Sequence, residues 1–328
     1  MSQPLQLQYG INLHADHVYE NYTPLQYVGA YPDPLSSDLR VRLAEYAGVT
    51  PAMVLCGNGS DELIDLYIRV QLLLDADTQI VIAPPTYFQY QSYAHRSGAD
   101  LITMPHDRMQ LTPSNLARAN ADPAHAIIML DNPSNPAGDL LPRQQILDLL
   151  EAGYRVFCDE AYYEFCGSSM VDLIALYPSQ LVVSRTLSKI AAMAGARLGY
   201  VLADPEVIAQ LIEHKMLFNV NAEAQARGLF ALDHMPAFQL AIGSLKGAKQ
   251  HVVEALKPLD SYQVLASLDL FVIFKHHHIP SVDLHRRLRE HDIETFLFED
   301  FKGQSVIRAT SGRLADLDRL IAVLSTLA

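Results

Sequence analysis

The segment Thr186-Leu187-Ser188-Lys189 follows the apolar run Leu181-Val182-Val183 and precedes a stretch of small residues, 191–196, that ends at Arg197. The apolar run predicts a buried strand, so the lysine is expected at the carboxyl end of that strand. There its amine can react with an aldehyde, while the hydroxyls, backbone amides and guanidinium hold a phosphate. The alternative is a surface lysine after an ordinary strand, and one short motif does not exclude it.

The composition is that of a globular protein with a large core. The chain has 328 residues, of which 50% are hydrophobic, and its formal net charge is −13. This charge argues against a nucleic-acid partner, and we expect neither a signal peptide nor a membrane-spanning segment. The three cysteines, Cys56, Cys158 and Cys166, lack disulfide-like spacing, so a reducing, cytoplasmic location is expected.

Apolar strands and amphipathic helices alternate over much of the chain, which predicts an α/β fold with a mainly parallel sheet covered by helices on both faces. Residues 1–30 show no clear periodicity and are interpreted as an N-terminal arm that joins the small domain. Residues 31–236 form the predicted large domain. Residues 237–328 form a smaller α/β domain with a partly antiparallel sheet.

Polar groups follow several of these strands, and ligands of open α/β sheets bind beyond the carboxyl ends of the strands. Residues 57–62 form a glycine-rich turn before a helix predicted over 63–74, an arrangement that binds anions but also occurs as a plain helix cap. Asp159 ends a buried strand and needs a cationic partner, such as a protonated pyridine, unless it caps a turn. Tyr87 can stack on a planar ligand or pack in the core.

The coincidence of these groups is more specific than any one of them, because the strand ends of one sheet meet at one site. The candidate site residues are Ser60, Asp61, Tyr87, Asn135, Asp159, Tyr162, Thr186, Ser188, Lys189 and Arg197.

Three of the motifs resemble those of class I/II aminotransferases of fold type I, which use pyridoxal 5'-phosphate. They are Asn135-Pro136-Ala137-Gly138, Asp159-Glu160-Ala161-Tyr162 and Thr186-Leu187-Ser188-Lys189 with Arg197. The resemblance spans about residues 30–312 and is strongest to histidinol-phosphate aminotransferases and the related threonine-phosphate decarboxylases. It implies a mainly parallel seven-stranded sheet in the large domain and a homodimer with shared active sites.

The resemblance also implies a role for each candidate residue. Lys189 would form a Schiff base with the cofactor and later carry a proton, and Asp159 would pair with the ring nitrogen. Arg308 would bind the acidic group of the substrate, a bidentate task suited to guanidinium. The other implied contacts are Tyr162 and Asn135 at the phenolic oxygen, Tyr87 on the ring, Ser60, Asp61, Thr186, Ser188 and Arg197 at the phosphate, and Tyr31 reaching the cofactor of the partner subunit.

The sequence departs from the family pattern near the substrate. Where the family has a second arginine that helps to hold the substrate phosphate, this chain has Phe296, with Glu294 and Glu299 nearby. A phosphate with Arg308 as its single cationic partner would be poorly held. We therefore expect an amino acid with a carboxylate on Arg308 and an apolar or aromatic side chain near Phe296, rather than histidinol phosphate.

The predicted function is amino transfer between an amino donor and a 2-keto acid. Two alternatives stay open: a decarboxylase of the threonine-phosphate decarboxylase type, and a non-catalytic ligand-binding domain. The run His276-His277-His278 is not expected to bind a metal, because consecutive side chains of an extended segment point to opposite faces.

Overall fold

The computed structural model describes residues 4–105, 107–268 and 270–328. Within them the strands are β1 (Leu5–Gln6), β2 (Val54–Asn58), β3 (Gln79–Ile82), β4 (Asp100–Thr103), β5 (Ala126–Asp131), β6 (Arg155–Asp159), β7 (Leu181–Thr186), β8 (Leu198–Leu202), β9 (Tyr262–Leu265), β10 (Phe271–His276), β11 (Ile293–Glu294), β12 (Phe296–Phe301) and β13 (Gln304–Thr310). The helices are α1 (Ser37–Ala47), α2 (Ser60–Leu74), α3 (Gln89–Ser97), α4 (Pro113–Arg118), α5 (Arg143–Glu151), α6 (Tyr163–Cys166), α7 (Leu187–Ile190), α8 (Pro205–His214), α9 (Ala222–Asp233), α10 (Met235–Leu256), α11 (Ser281–Glu290) and α12 (Leu314–Thr326).

Seven strands form one sheet in the order β2-β8-β7-β6-β5-β3-β4, and β8 alone runs against the others. Both faces are covered. In β5, Ile128 and Leu130 enter one hydrophobic cluster, whereas Ile127 and Met129 enter the cluster on the opposite face. A strand buried on both faces needs apolar residues throughout, which explains the lack of alternation in its sequence. The predicted α/β fold with a mainly parallel seven-stranded sheet is confirmed.

A second, antiparallel sheet has the order β12-β13-β10-β9. Helices α11 and α12 and the end of α10 cover it around a separate apolar core. Strand β1 of the N-terminal segment pairs in parallel with β11, with Leu5 opposite Ile293. The start of the chain is thereby attached to the side of the molecule that holds the second sheet.

The domain division at residues 236 and 237 remains a prediction, and the structure has helix α10 running through it. Pro236 lies in the first turn of α10, where its missing N–H costs nothing. Met235 and Phe238 pack on the core of the large sheet, whereas Val252 and Leu256 pack on that of the small sheet. One helix therefore contacts both cores.

The histidine run ends strand β10. His276 is buried, and its Nδ1 accepts hydrogen bonds from the backbone amides of His278 and Ile279, 3.0 and 2.9 Å away. Its Nε2 lies 3.1 Å from the carbonyl oxygen of Leu327. The ring thus holds the turn that follows the strand. No helix in the described part of the chain is long and apolar enough to cross a membrane.

Candidate active site

The carboxyl ends of β5, β6 and β7 lie side by side, which places Asp131 opposite Asp159 and Asp159 opposite Ser184. Beyond them is a cleft with polar and apolar lining residues, as in small-molecule sites. All ten candidate residues expected from one subunit's strand ends line this cleft. The lining residues are Ser60, Asp61, Tyr87, Asp131, Asn135, Asp159, Ala161, Tyr162, Thr186, Ser188, Lys189 and Arg197.

Lys189 lies in the short helix α7, directly after β7. Thr186 caps that helix, since its Oγ1 accepts from the backbone amide of Ser188 at 3.1 Å. The Lys189 amine donates to the carbonyl oxygen of Gly10 at 3.1 Å. Removal from water, and next the positive charge of Arg308, lower the pKa of Lys189 to about 8. A substantial fraction of this amine is therefore neutral near pH 8 and able to act as a nucleophile or base.

Asp159 is 4% exposed and has three hydrogen-bond donors. Ser184 Oγ and Tyr90 OH donate at 2.8 and 2.9 Å, and the backbone amide of Ala161 donates at 3.1 Å. Burial nevertheless raises the pKa of Asp159 to about 6, against the effect of these donors. Among the described residues no cation forms an ion pair with Asp159. The carboxylate faces the cleft as an uncompensated buried acid, which is suited to a cationic ligand atom.

The opposite end of the cleft is suited to a phosphate. Helix α2 begins at Ser60, three residues before the predicted start, so its unpaired backbone amides and positive dipole end face the cleft. Arg197 Nη2 lies 2.8 Å from Asp61 Oδ2. Gly59 has φ +80°, and a Cβ there would lie 2.4 Å from the Arg197 guanidinium. Gly199 is as tightly constrained, because a Cβ added at this position would lie 2.4 Å from the Ser60 amide nitrogen.

Two tyrosines, one just before helix α3 and one within it, hydrogen-bond to Asp61 of the cleft. Tyr87 OH donates to Asp61 Oδ1 at 2.8 Å, and Tyr93 OH donates to the same oxygen at 2.9 Å. The ring of Tyr87 borders the cleft while its hydroxyl is held by Asp61. This geometry presents the ring to a planar ligand, and the stacking role of Tyr87 remains a prediction.

Arg308 of β13 does not itself line the cleft, but it contacts Asn135, which does. It is 7% exposed, and burial lowers its pKa to about 10. Its Nη1 donates to Asn135 Oδ1 at 3.3 Å and its Nη2 to the carbonyl oxygen of Gln8 at 2.7 Å, whereas its buried Nε has no partner. No carboxylate of the described residues pairs with it. A buried guanidinium with an unpaired donor has unused capacity for an anionic ligand.

Residues of the N-terminal segment, which the sequence did not predict for the site, close it over Lys189. Besides the Gly10 carbonyl, the segment places the backbone of residue 10 against three side chains. A Cβ at that position would lie 3.1 Å from the Phe271 ring, 3.3 Å from Tyr162 OH and 3.4 Å from Lys189 Nζ. A side chain at residue 10 would therefore require Phe271 and Tyr162 to shift by a few tenths of an ångström.

Three further site residues were missed by the sequence analysis. Tyr90 and Ser184 donate to Asp159, and Asp131 accepts from Thr86 Oγ1 at 2.7 Å and from the Asn135 amide at 2.6 Å. Ser184 gave a usable signal, as a hydroxyl directly after the apolar run Leu181-Val182-Val183. Tyr31 does not line the cleft: it is 83% exposed and stacks on Phe218, with ring centroids 4.7 Å apart.

The residues present fit pyridoxal phosphate. Three parts of the site match the three reactive parts of that cofactor. The start of helix α2 suits its phosphate, the Lys189 amine suits its aldehyde, and the Asp159 carboxylate suits its basic ring nitrogen. A purely structural role does not explain the unpaired carboxylate of Asp159, because a buried carboxylate without a partner is costly.

Comparison with known sequences identifies the family of this chain. A family model described as aminotransferase class I and II matches residues 26–324. The histidinol-phosphate aminotransferase of Desulfitobacterium hafniense is 37% identical over 252 residues, which are 75% of this chain and 69% of that protein.

Solved structures agree with the fold. The histidinol-phosphate aminotransferase from Clostridium acetobutylicum superposes with a TM-score of 0.84, at 21% identity, over 98% of both chains. L-threonine-O-3-phosphate decarboxylase from Porphyromonas gingivalis gives 0.80 at 23% identity, over 98% of this chain and 99% of that one. The Sinorhizobium meliloti histidinol-phosphate aminotransferase, solved with pyridoxal-5'-phosphate, gives 0.79 at 21% identity, over 99% and 92%. The chain belongs to the class I and II aminotransferases and is a pyridoxal-phosphate-dependent aminotransferase.

Proposed function

We propose that this enzyme moves the amino group of an α-amino acid to a 2-keto acid, with Lys189 as the residue that carries the cofactor and transfers the proton. One observation carries the proposal. The enclosed Lys189 amine, with a pKa of about 8, lines one cleft together with the buried Asp159 carboxylate and the start of helix α2, which is suited to a phosphate.

Each end of the cofactor has a set of residues able to hold it. When bound, pyridoxal phosphate supplies an aldehyde that joins to amines and a ring that withdraws electrons from the carbon next to the amine. The Asp159 carboxylate would keep the ring nitrogen protonated, and Tyr162 and Asn135 would hydrogen-bond the phenolic oxygen. The residues proposed for the phosphate are Ser60, Asp61, Thr186, Ser188 and Arg197.

Lys189 is also the proposed proton carrier. Once a substrate amine has replaced it, its free amine would take the proton from the substrate Cα and return it to the cofactor carbon that is bonded to the substrate nitrogen. Its lowered pKa matches this task near pH 8, because both protonation states are then accessible. The Gly10 carbonyl orients the amine toward the cleft.

Arg308 is the proposed anchor for the substrate carboxylate. Its unpaired Nε and the absence of an ion-pair partner among the described residues support this role. The charge of Arg308 acts on Lys189, so the carboxylate and the amine of one small amino acid are able to reach the two groups together.

We further propose a cytoplasmic homodimer. The exposed ring of Tyr31 lies outside its own cleft, beside other exposed apolar residues at Tyr27, Val28, Met216 and Leu217, as expected for a residue that serves a second copy. Three free cysteines, Cys56, Cys158 and Cys166, are consistent with a reducing compartment.

The likeness to the threonine-phosphate decarboxylase supports decarboxylation as a second candidate, since both reactions need the same cofactor site. A single-turnover experiment separates the two. The cofactor-loaded enzyme is mixed with one amino acid, and its visible spectrum, keto-acid yield and carbon dioxide release are followed. Transamination gives one keto acid per site, no carbon dioxide, and a spectrum restored by a second keto acid.

Lys189→Ala should abolish the spectral change, whereas Lys275→Ala, which removes a lysine of β10 that bonds to Gln304, should leave it intact. Carbon dioxide release in step with the spectral change would replace the first proposal by the second.

A further inference from the structure

The guanidinium of Arg308 is surrounded by phenylalanine rings. Its carbon lies 4.3 Å from the ring centroid of Phe271, 4.8 Å from that of Phe296 and 5.5 Å from that of Phe298. Phe296 is directly opposite Arg308 in the β12–β13 ladder, so their side chains share one face of the sheet. Rings on the faces of the guanidinium hold its plane by cation–π contact and leave its edge for a ligand.

The row of rings extends from Arg308 to the large-sheet side of the molecule. Phe296 and Phe298 are half-buried, and their centroids are 4.7 Å apart. Phe88, which follows Tyr87 on the large-sheet side, is 60% exposed and lies 6.4 Å from Phe296. We call Phe88, Phe296 and Phe298 the aromatic wall. It connects the two sides of the molecule beside Arg308, and the exposed ring of Phe88 is open to a ligand.

Among the described residues, three cations of the segments that adjoin β12 and its turn already have partners. Lys302, at the turn between β12 and β13, donates to Asp139 Oδ2 at 2.5 Å. Arg289 donates to Glu294 Oε1 at 3.2 Å, and Arg108 donates to the backbone carbonyls of Asp131 and Asp139. A phosphate dianion at the aromatic wall would therefore lose its hydration against apolar rings without gaining a second cation.

We propose, on the basis of the proposed function, that the aromatic wall is the side-chain subsite of the amino donor and selects an uncharged aromatic side chain over a phosphate ester. The donor's carboxylate binds Arg308, and its side chain packs against the rings of Phe88 and Phe296. Offset and edge-to-face contacts between rings stabilise such a side chain beyond the effect of its buried area.

The test uses three unreactive carboxylate ligands with the cofactor-loaded enzyme: 3-phenylpropanoate, propanoate and the phosphate ester 3-(phosphonooxy)propanoate. Their dissociation constants are measured by calorimetry. We expect 3-phenylpropanoate to bind about tenfold or more tightly than each of the other two, on the order expected from one buried aromatic contact. Because these ligands have no amine to transfer, the result does not depend on which reaction the enzyme catalyses.

Variants connect the preference to the aromatic wall. Phe296→Ala should lower the preference for 3-phenylpropanoate over propanoate about tenfold, and Phe296→Arg should reverse the preference between phenylpropanoate and the phosphate ester. Leu297→Ala is the matched control, because it removes apolar bulk from the same strand on the face that packs into the small-sheet core. Phe88→Ala, at an exposed position, tests the subsite even if the Phe296 variants fold poorly.

Three results would overturn the inference: equal binding of 3-phenylpropanoate and propanoate, tighter binding of the phosphate ester by the parent enzyme, or equal losses in Phe296→Ala and Leu297→Ala. Failure of amino transfer in the single-turnover experiment, with the ligand preference intact, would instead reject the proposed function and leave the aromatic wall as a binding subsite.

Discussion

Replacing Asp159 by asparagine is expected to stabilise the cofactor-free protein while weakening its binding of the cofactor. The carboxylate is buried without a cationic partner among the described residues, and burial raises its pKa from 3.8 to about 6. Asparagine has the same shape. Its oxygen can still accept from Ser184 and Ala161, and its amide can donate to the Tyr90 oxygen.

The pKa shift gives the size of the effect. A shift from 3.8 to about 6 corresponds to about 3 kcal/mol of differential free energy. Because the pKa is higher in the folded state, the folded protein binds more protons than the unfolded chain between these values. Its stability is therefore fully present below pH 3.8 and falls as the pH rises through 6. At pH 8 the parent without cofactor bears nearly the whole cost, and Asp159→Asn does not.

Urea unfolding of the two cofactor-free proteins measures the difference. We expect the asparagine variant to be about 2–3 kcal/mol more stable at pH 8, with this advantage smaller by about 1 kcal/mol at pH 5. Its affinity for pyridoxal phosphate should fall about 100-fold, since the cationic ring nitrogen loses its partner. Asp172→Asn, at an exposed carboxylate, serves as the control. A variant less stable than the parent at pH 8 would refute the electrostatic reasoning.

Three further outcomes are expected. In the cofactor-free enzyme, acylation of Lys189 should rise with a midpoint near pH 8, well below that of an ordinary lysine, and peptide mapping across a pH series measures it; a midpoint above pH 10 would contradict the burial effect. Arg308→Lys should lower kcat/KM for amino acids about 100-fold through loss of the bidentate contact, with unchanged cofactor binding in the visible spectrum. Mixed subunits carrying Tyr31→Ala or Lys189→Ala should regain activity that neither has alone, because in a mixed dimer one site keeps its own Lys189 and the partner subunit's Tyr31; no gain on mixing would argue against shared sites.

Much of the fold and of the site was predictable because it depends on local sequence. Apolar runs predicted the parallel strands, and the polar groups directly after them, such as Asp159 and Lys189, meet in one cleft because the carboxyl ends of parallel strands lie at one edge. Phe296, at the position where the family has an arginine, indicated a different substrate side chain beside Arg308. The structure places Phe296 opposite Arg308 in the ladder of β12 and β13.

The parts that were missed depend on contacts between distant segments. Ser184 and Asp131 become neighbours of Asp159 through strand register, which the separate strand sequences do not specify. Gly10 reaches Lys189 across 179 positions in the chain and belongs to a segment without periodicity. Helix α2 begins at Ser60, but the sequence predicted its start at Leu63. The polar residues of its first turn hide the apolar pattern of the helix.

The attachment of the cofactor to Lys189 is tested most directly by reducing the pyridoxal-phosphate-loaded enzyme with sodium borohydride, which makes the bond permanent, and locating the added mass by peptide mapping. The chain has six other lysines, and peptide mapping distinguishes a label on Lys189 from a label on any of them. We expect the added mass on the peptide that contains Lys189, in the parent but not in Lys189→Ala. The label on a different lysine, or no label on enzyme saturated with pyridoxal phosphate, would contradict the role given to Lys189.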